Sequence, residues 1–325
     1  MTAATLGVRR SGPAIAFFAY NRPHHLAKCL ASMRMNPEFR ETPSYFFLDG
    51  PRTAEDVPSV AEVGRIARSV AGLLDARIVE RGCNWGLSRN IIDGISQVLA
   101  DNESVIVVED DLVVSSGFLR YMDHALERYR PFSQVFSVSA YNYPGKIFHV
   151  PRDYPYDTFF VLRNMCWGWG TWRSRWVQAQ WHLPDYVSLR NNDSWRRSFE
   201  ECGVDLPRML DAQVHGELDS WAIRWTYAHF AHHAVCLVPV ESLVNNIGVD
   251  GSGVHMKASR RYLHPTLNDA RLMRFPPLVY VDPLIERTYK TVERKGHVYR
   301  AARKWLARTR SVERDRPAIK MAPGC

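Results

Sequence analysis

The sequence predicts an α/β fold: a mostly parallel central sheet with helices on its faces. Three observations carry that prediction. In the first third of the chain, short apolar runs alternate with stretches of helical spacing. Each of those runs stops at polar or turn residues, the pattern of strands whose carboxyl ends open into loops. The 325 residues are 46% hydrophobic and 23% charged, enough apolar material for a substantial core.

The elements follow in order. Ala14–Tyr20 is an apolar strand. Asn21, Arg22 and Pro23 turn the chain, and Pro23 suits a first helical position. Leu26, Cys29, Leu30 and Met33 then recur at helical spacing. Ser44–Leu48 is a second strand ending at Asp49-Gly50-Pro51, followed by a helix over Val57–Leu74. Arg77–Glu80 is a third strand. Asn84-Trp85-Gly86 breaks the chain before a helix over Leu87–Leu99, with Leu87, Ile91, Ile95 and Val98 on one face. Ser104–Val108 is a fourth strand entering Glu109-Asp110-Asp111, and Gly117–Tyr129 is helical.

The middle of the chain differs. Eight of the ten tryptophans lie between Trp167 and Trp225. No Pro/Gly/Ser linker separates this aromatic region from the first, so residues 1–260 read as one body: a ligand-binding half at about 13–115 and a second lobe at 116–260. Residues 261–325 form an extension that runs through Pro-rich turns into a basic helical tail.

The net charge of +8 is concentrated there: Glu286 to Arg310 holds nine Lys/Arg against two Glu. The body is therefore near neutral, which argues against a nucleic-acid-binding surface. In the tail, Val298, Ala302, Trp305 and Leu306 share one helical face opposite cations, a pattern suited to an anionic membrane surface or to a solvated basic helix. No apolar run reaches the roughly 18–20 residues that cross a bilayer. The N-terminal apolar stretch reads as a strand rather than a signal peptide, which gives a cytoplasmic expectation, with the inner membrane face open to the tail. Six scattered cysteines without a CxxC pair suggest reduced thiols.

The chemistry is concentrated in Val105-Ile106-Val107-Val108-Glu109-Asp110-Asp111. An apolar strand delivers three carboxylates to one strand end, where burial together is unfavourable without a cation. Hard oxygen ligands suit Mn²⁺ or Mg²⁺, which take one or two carboxylates together with phosphate oxygens. An acidic turn facing solvent is the plainer alternative.

This segment, with the helix beginning near Gly117, resembles the acidic metal-binding motif of GT-A-fold (Rossmann-like) glycosyltransferases. The wording is nearest to N-acetylglucosaminyltransferases of the N-glycan-branching type and to bacterial family-two-like sugar transferases. The resemblance spans about residues 14–256. It implies that Asp111 ligates the metal bridging a donor diphosphate, with Glu109 and Asp110 near the donor's ribose and sugar. It further implies that Asn21 and Arg22 grip the nucleotide, that Asp49 holds uracil, and that the Asn84, Gly86 and Arg89 segment lies under the donor. A helix N-terminus preceded by glycine is independently a place for an anion, and Arg89 there is a candidate to offset the acidic cluster.

By the same resemblance, an acidic residue at the start of a second-lobe helix is the general base. Asp219, ahead of Ser220-Trp221-Ala222, fits that description; its alternative role is a helix N-cap, and Glu217 stands in reserve. Ser252, Gly253 and His255 lie in a small-residue loop that would close on the diphosphate. Trp167 and Trp169, flanked by glycines, are the candidates for stacking on an acceptor sugar.

Together these imply a metal-dependent, inverting glycosyltransferase. It would move a sugar, GlcNAc-like by resemblance, from a UDP-sugar to a glycan or glycolipid acceptor. A catalytically silent nucleotide- or glycan-binding module is one alternative. A nucleotidyltransferase is another, weakened because Asn21-Arg22-Pro23-His24-His25 lacks the glycine-rich loop expected after its first strand.

Overall fold

A computed structural model of the chain describes residues 12–251, 261–271, 273–290 and 292. The first half contains β1 (Ala14–Ala19), α1 (Pro23–Met33), β2 (Ser44–Leu48), α2 (Val57–Ala71), β3 (Ala76–Glu80), α3 (Leu87–Asp101), β4 (Ser104–Glu109), β5 (Leu112–Val114) and α4 (Phe118–Tyr129). The second contains β6 (Val135–Ser139), β7 (Thr158–Val161), β8 (Trp169–Trp172), α5 (Arg173–Trp176), α6 (Tyr186–Leu189), α7 (Asp193–Glu200), α8 (Leu206–Val214), α9 (Trp221–Ala231), β9 (Val235–Pro239) and β10 (Val244–Asn246).

Eight strands form one sheet in the order β3-β2-β1-β4-β8-β6-β9-β7. The pairs β1–β2, β1–β4, β2–β3 and β6–β9 are parallel; β4–β8, β6–β8 and β7–β9 are antiparallel. This is a mixed α/β sheet flanked by helices. Its parallel side is contributed by the first half of the chain and its antiparallel insertions by the second. The sheet continues through β8 into β6, so the aromatic region shares a backbone hydrogen-bond network with the first half.

β1 lies inside the sheet and is buried along its whole length, which is why it is apolar without alternation. The pleat sends Ile15, Phe17 and Ala19 to one face, where they meet Leu26, Leu30 and Met33 of α1, Val63 and Ala67 of α2, and Met122 of α4. Ala14, Ala16 and Phe18 face the other way, against Ile91, Ile95 and Val98 of α3 and Trp221 and Trp225 of α9. Phe17 stacks on Phe46 and Phe18 on Phe47, at ring separations of 4.7 and 5.2 Å. Such cross-strand aromatic pairs add roughly 0.5–1.5 kcal/mol beyond the area they bury.

Two features were not legible in the spacing. Leu112–Val114 pairs antiparallel with Val244–Asn246 as a separate two-stranded ribbon, which clamps the segment after Asp111 to the segment before Gly248. Trp169 is a strand residue of β8 with no exposed surface, stacked 5.0 Å from Trp221.

Among the described residues no helix is long and apolar enough to cross a membrane. Cys29, Cys83, Cys166, Cys202 and Cys236 are free thiols. Ser252, Gly253, His255 and the amphipathic stretch 298–306 lie outside the described residues.

Candidate active site

Because β1 to β4 run parallel, their carboxyl ends meet at one edge of the sheet. The loops leaving that edge carry Asn21 and Arg22 after β1, Asp49 after β2, Asn84 to Gly86 after β3, and Asp110 and Asp111 after β4. Parallel pairing is thus what gathers residues that are far apart in the chain.

Asp110 is buried at this edge and fixed on both sides. Its backbone N–H donates to Phe18 O at 3.0 Å, and Tyr20 N–H donates to its Oδ2 at 3.4 Å. Arg22 Nη2 donates both to Asp110 Oδ1, in a very short contact, and to Asp111 Oδ2 at 3.0 Å. Burial pushes the Asp110 carboxyl up, and the Arg22 guanidinium opposes that rise. Glu109 is raised by burial and then by the charges of Asp111 and Asp110. The charge of Glu109 also adds to the burial that lifts the Cys166 thiol to about 12. Arg22, not Arg89, is therefore the side chain that offsets the acidic cluster. Arg89 lies instead with its guanidinium 3.9 Å from the centroid of Trp85, and Arg81 lies at the same distance from that ring.

Asp111 has its Oδ1 buried with no hydrogen-bond partner. Its backbone carbonyl accepts from Ile247 N–H at 2.8 Å, which seats residues 247–248 over the carboxylate. A Cβ on Gly248 would overlap Asp111 Oδ2 and lie 3.0 Å from Arg22 Nη1, so any side chain there would have to push the carboxylate aside. Nearby, His25 Nε2 sits 3.1 Å from Asp250 Oδ2. Gly248 carried no role in the sequence reading; its one signal is its place inside the Asn246-Ile247-Gly248-Val249-Asp250 turn.

Asp49 differs from the expectation. Its Oδ1 accepts from Gly50 N–H at 3.0 Å and Trp85 N–H at 2.7 Å; its Oδ2 accepts from Gly86 N–H at 3.0 Å and Asn84 Nδ2 at 3.1 Å. Four donors fill the acceptor capacity of one carboxylate. Asp49 thus anchors the loop that starts α3, and no free oxygen is left for a base. Asn84 also donates to Gly50 O at 3.0 Å.

Asn21 is held by a residue that the sequence reading passed over. Asn21 Nδ2 and Tyr20 OH donate to the two oxygens of Asp56 at 2.7 and 2.6 Å. Arg52 N–H and Thr53 N–H join them. Hydrogen bonds from Tyr20 and Asn21 bring the Asp56 carboxyl down to about 2. The Thr53-x-x-Asp56 spacing of a capping box was the available signal.

Asp219 comes from the second lobe and meets this edge at the loop before α3. A Cβ on Gly86 would lie 3.3 Å from Asp219 Oδ2, and Ser88 N–H faces the same oxygen at 3.5 Å. Ser220, not Asp219, caps α9: its hydroxyl accepts from Ile223 N–H. The Asp219 carboxylate is exposed and spared that duty. Arg224, one helical turn on, is the nearby cation: burial lowers its pKa and Asp219 opposes the drop. Glu217 is exposed, with its backbone tied to Ala212 O at 2.9 Å.

The two tryptophan candidates separate. Trp169 has no face open to a sugar, because both lobes use its ring as core. Trp167 is half-buried, with its ring 4.4 Å from Tyr141 and 6.5 Å from Tyr262. Gly168 between them has φ +61°, and a Cβ there would come within 2.8 Å of Val244 and 3.1 Å of Phe118. That glycine serves packing, not ligand approach.

The fold and this edge define a mixed α/β protein with an acidic strand-end cluster. No protein-family model matches the chain. No curated protein matches it either. Among solved structures it is similar to the crystal structure of S. aureus TarS 1-349, with a TM-score of 0.43 and 11% identity over 71% of this chain. The chain spans 59% of the length of that structure. A likeness of that size does not bear on what this chain does.

Proposed function

We propose that the protein is a metal-dependent inverting glycosyltransferase, using a UDP-sugar and an acceptor that is a glycan or glycolipid. The observation that carries this reading is the position of Asp219. A second-lobe carboxylate that does not cap its own helix α9 lies against the Gly86 loop and the first turn of α3, and Asp49 ties that loop to the end of β2, on the same sheet edge that carries Asp110 and Asp111.

The residues present fit a divalent cation. Asp111 Oδ1 is a buried acceptor with no partner in the protein, and Asp110 beside it is held under a burial penalty that a cation would relieve. Among the described residues no group of three His, Cys, Asp or Glu forms a ready cage. Mn²⁺ and Mg²⁺ at diphosphate sites need only one or two carboxylates, the rest coming from phosphate and water. Asp111 would hold the ion, with Asp110 next to it. When bound, the ion supplies electrophilic stabilisation of the departing diphosphate.

The chain's own groups supply the rest. Asn21 and Arg22, placed by the first-strand loop, bind the nucleotide and its phosphates; the loop of Asn84, Gly86 and Arg89 lies under the donor, with Asp49 as its anchor. Asp219 accepts the proton from the acceptor hydroxyl as that oxygen attacks the anomeric carbon, and the C–O bond to the diphosphate breaks on the opposite face. Trp167 borders the acceptor side. A GlcNAc-like donor sugar and a membrane-bound acceptor are the finer proposals, the second because the basic tail suits an anionic surface.

The test is UDP release from a panel of UDP-sugars, with Mn²⁺ and with EDTA. Release from one sugar that requires Mn²⁺ and disappears in Asp111→Asn supports the reading. Release that is indifferent to EDTA and to Asp111→Asn sinks it.

A further inference from the structure

We propose that Arg22 is an internal cation that holds Asp110 and Asp111 until a donor diphosphate arrives, so that divalent ion and donor bind as a coupled pair. This rests on the metal-site reading above and adds to it a coupling set by one side chain.

The geometry is specific. A single guanidinium nitrogen, Nη2, donates to one oxygen of each carboxylate. The other Asp110 oxygen takes Tyr20 N–H, and the other Asp111 oxygen is the buried one without a partner. Gly248 closes over Asp111 Oδ2 and Arg22 Nη1 together, leaving no room for a side chain between them. Arg22 thus sits between the two carboxylates that a divalent ion would draw on. An ion drawing on both carboxylates would compete with Nη2 for them, and an ion at Asp111 Oδ1 alone would sit beside a guanidinium of like charge.

The cost of that competition couples the two ligands. A guanidinium taken off two partly buried carboxylates leaves the site unbalanced unless the released group finds another anion. The neighbouring carboxylate on the first-strand loop side, Asp56, is already committed to Tyr20, Asn21, Arg52 and Thr53. An incoming diphosphate resolves this, since arginine pairs well with phosphate oxygens. The ion then takes the carboxylates and Arg22 takes phosphate. Either ligand alone meets an opposed site; together they exchange partners. By linkage, the donor nucleotide must tighten the ion by the same factor as the ion tightens the nucleotide.

The experiment is a Mn²⁺ titration followed by the electron paramagnetic resonance of free Mn²⁺, with and without UDP. The proteins are wild type, Arg22→Gln, Arg22→Lys and Asp111→Asn. Without UDP, Arg22→Gln should bind Mn²⁺ about tenfold tighter than wild type or more, and the tightening by UDP should shrink correspondingly. Arg22→Lys keeps the charge but has no planar fork, so a smaller gain in Mn²⁺ affinity is expected. That variant also carries the test if Arg22→Gln does not fold. Wild-type Mn²⁺ affinity in the Arg22 variants, with UDP coupling unchanged, overturns the proposal. If Asp111→Asn weakens Mn²⁺ binding in that case, the metal site stands and only the role of Arg22 falls. If Asp111→Asn is also without effect, the site reading falls with it.

Discussion

Asp219 Oδ2 lies 3.3 Å from where a Cβ on Gly86 would sit, so a carboxylate from the second lobe rests directly against the turn that begins α3. Gly86 itself has φ +78°, a conformation in which other residues are strained. The contact is the junction between the two halves of the site, and it makes both residues testable.

Asp219→Asn should lower kcat by about 10²–10⁴, the usual worth of a general base. UDP binding, measured by calorimetry, should stay near wild type. Gly86→Ala should reduce kcat in the same direction, because the new methyl displaces the carboxylate. Equal kcat in wild type and Asp219→Asn would remove Asp219 from the chemistry.

Gly248→Ala probes the roof over the acidic pair. The added methyl overlaps Asp111 Oδ2 and crowds Arg22. Overpacking of this kind costs typically 1–3 kcal/mol. The expected result is a lower urea midpoint together with weakened Mn²⁺ binding. A stable variant with normal Mn²⁺ affinity would mean that the 247–248 turn does not press on the site.

Trp169→Ala should act through stability. Its ring is buried among Trp176, Trp221 and Trp225, and loss of a buried Trp costs roughly 3–5 kcal/mol. Urea unfolding reads this directly. Trp167→Ala, at a half-buried position, should raise the acceptor KM more than it lowers stability. The opposite ranking of the two variants would return Trp169 to the acceptor site.

Stability should fall with acid through His229. The ring is buried, with Nε2 2.8 Å from Ser137 Oγ and Nδ1 2.9 Å from Trp225 O. A carbonyl accepts only, so Nδ1 carries the proton of the neutral ring and Nε2 faces the Ser137 hydroxyl, whose oxygen also lies 3.2 Å from Asn164 Oδ1. Burial lowers the pKa to about 4. The neutral form is thus favoured in the fold, and the unfolded chain binds a proton first as pH drops. The stability is complete above the unfolded value near 6.5 and is lost as pH falls towards 4, by roughly 2–3 kcal/mol. Urea midpoints at pH 7.5 and 4.5 should differ more in wild type than in His229→Gln. An equal pH response in both would show that other groups carry the acid sensitivity.

Much of the fold was legible because its signals are local. The apolar runs at 14–19, 44–48 and 104–109 and the 3.6-residue spacing of α1, α3 and α4 follow from burial of strand and helix faces, which any chain must satisfy. The acidic cluster was legible for the same reason: three carboxylates at the end of a buried strand are unusual in themselves. Asp219 was found only through its resemblance-based place before a helix, and the structure assigns the cap to its neighbour Ser220.

The sequence by itself determined the α/β class, the strand-end position of Glu109, Asp110 and Asp111, and the aromatic character of the second lobe. Tertiary structure decided which groups satisfy which charges. It made Arg22 the partner of Asp110 and Asp111 and set Arg89 on Trp85. It spent three acceptor positions of Asp49 on the loop before α3 and the fourth on Gly50, and turned Trp169 into core. The physical reason is range. Periodicity and burial are properties of neighbours in sequence, whereas ion pairing and carboxylate saturation depend on ångström distances between residues 35 to 131 positions apart, which only the packed sheet fixes.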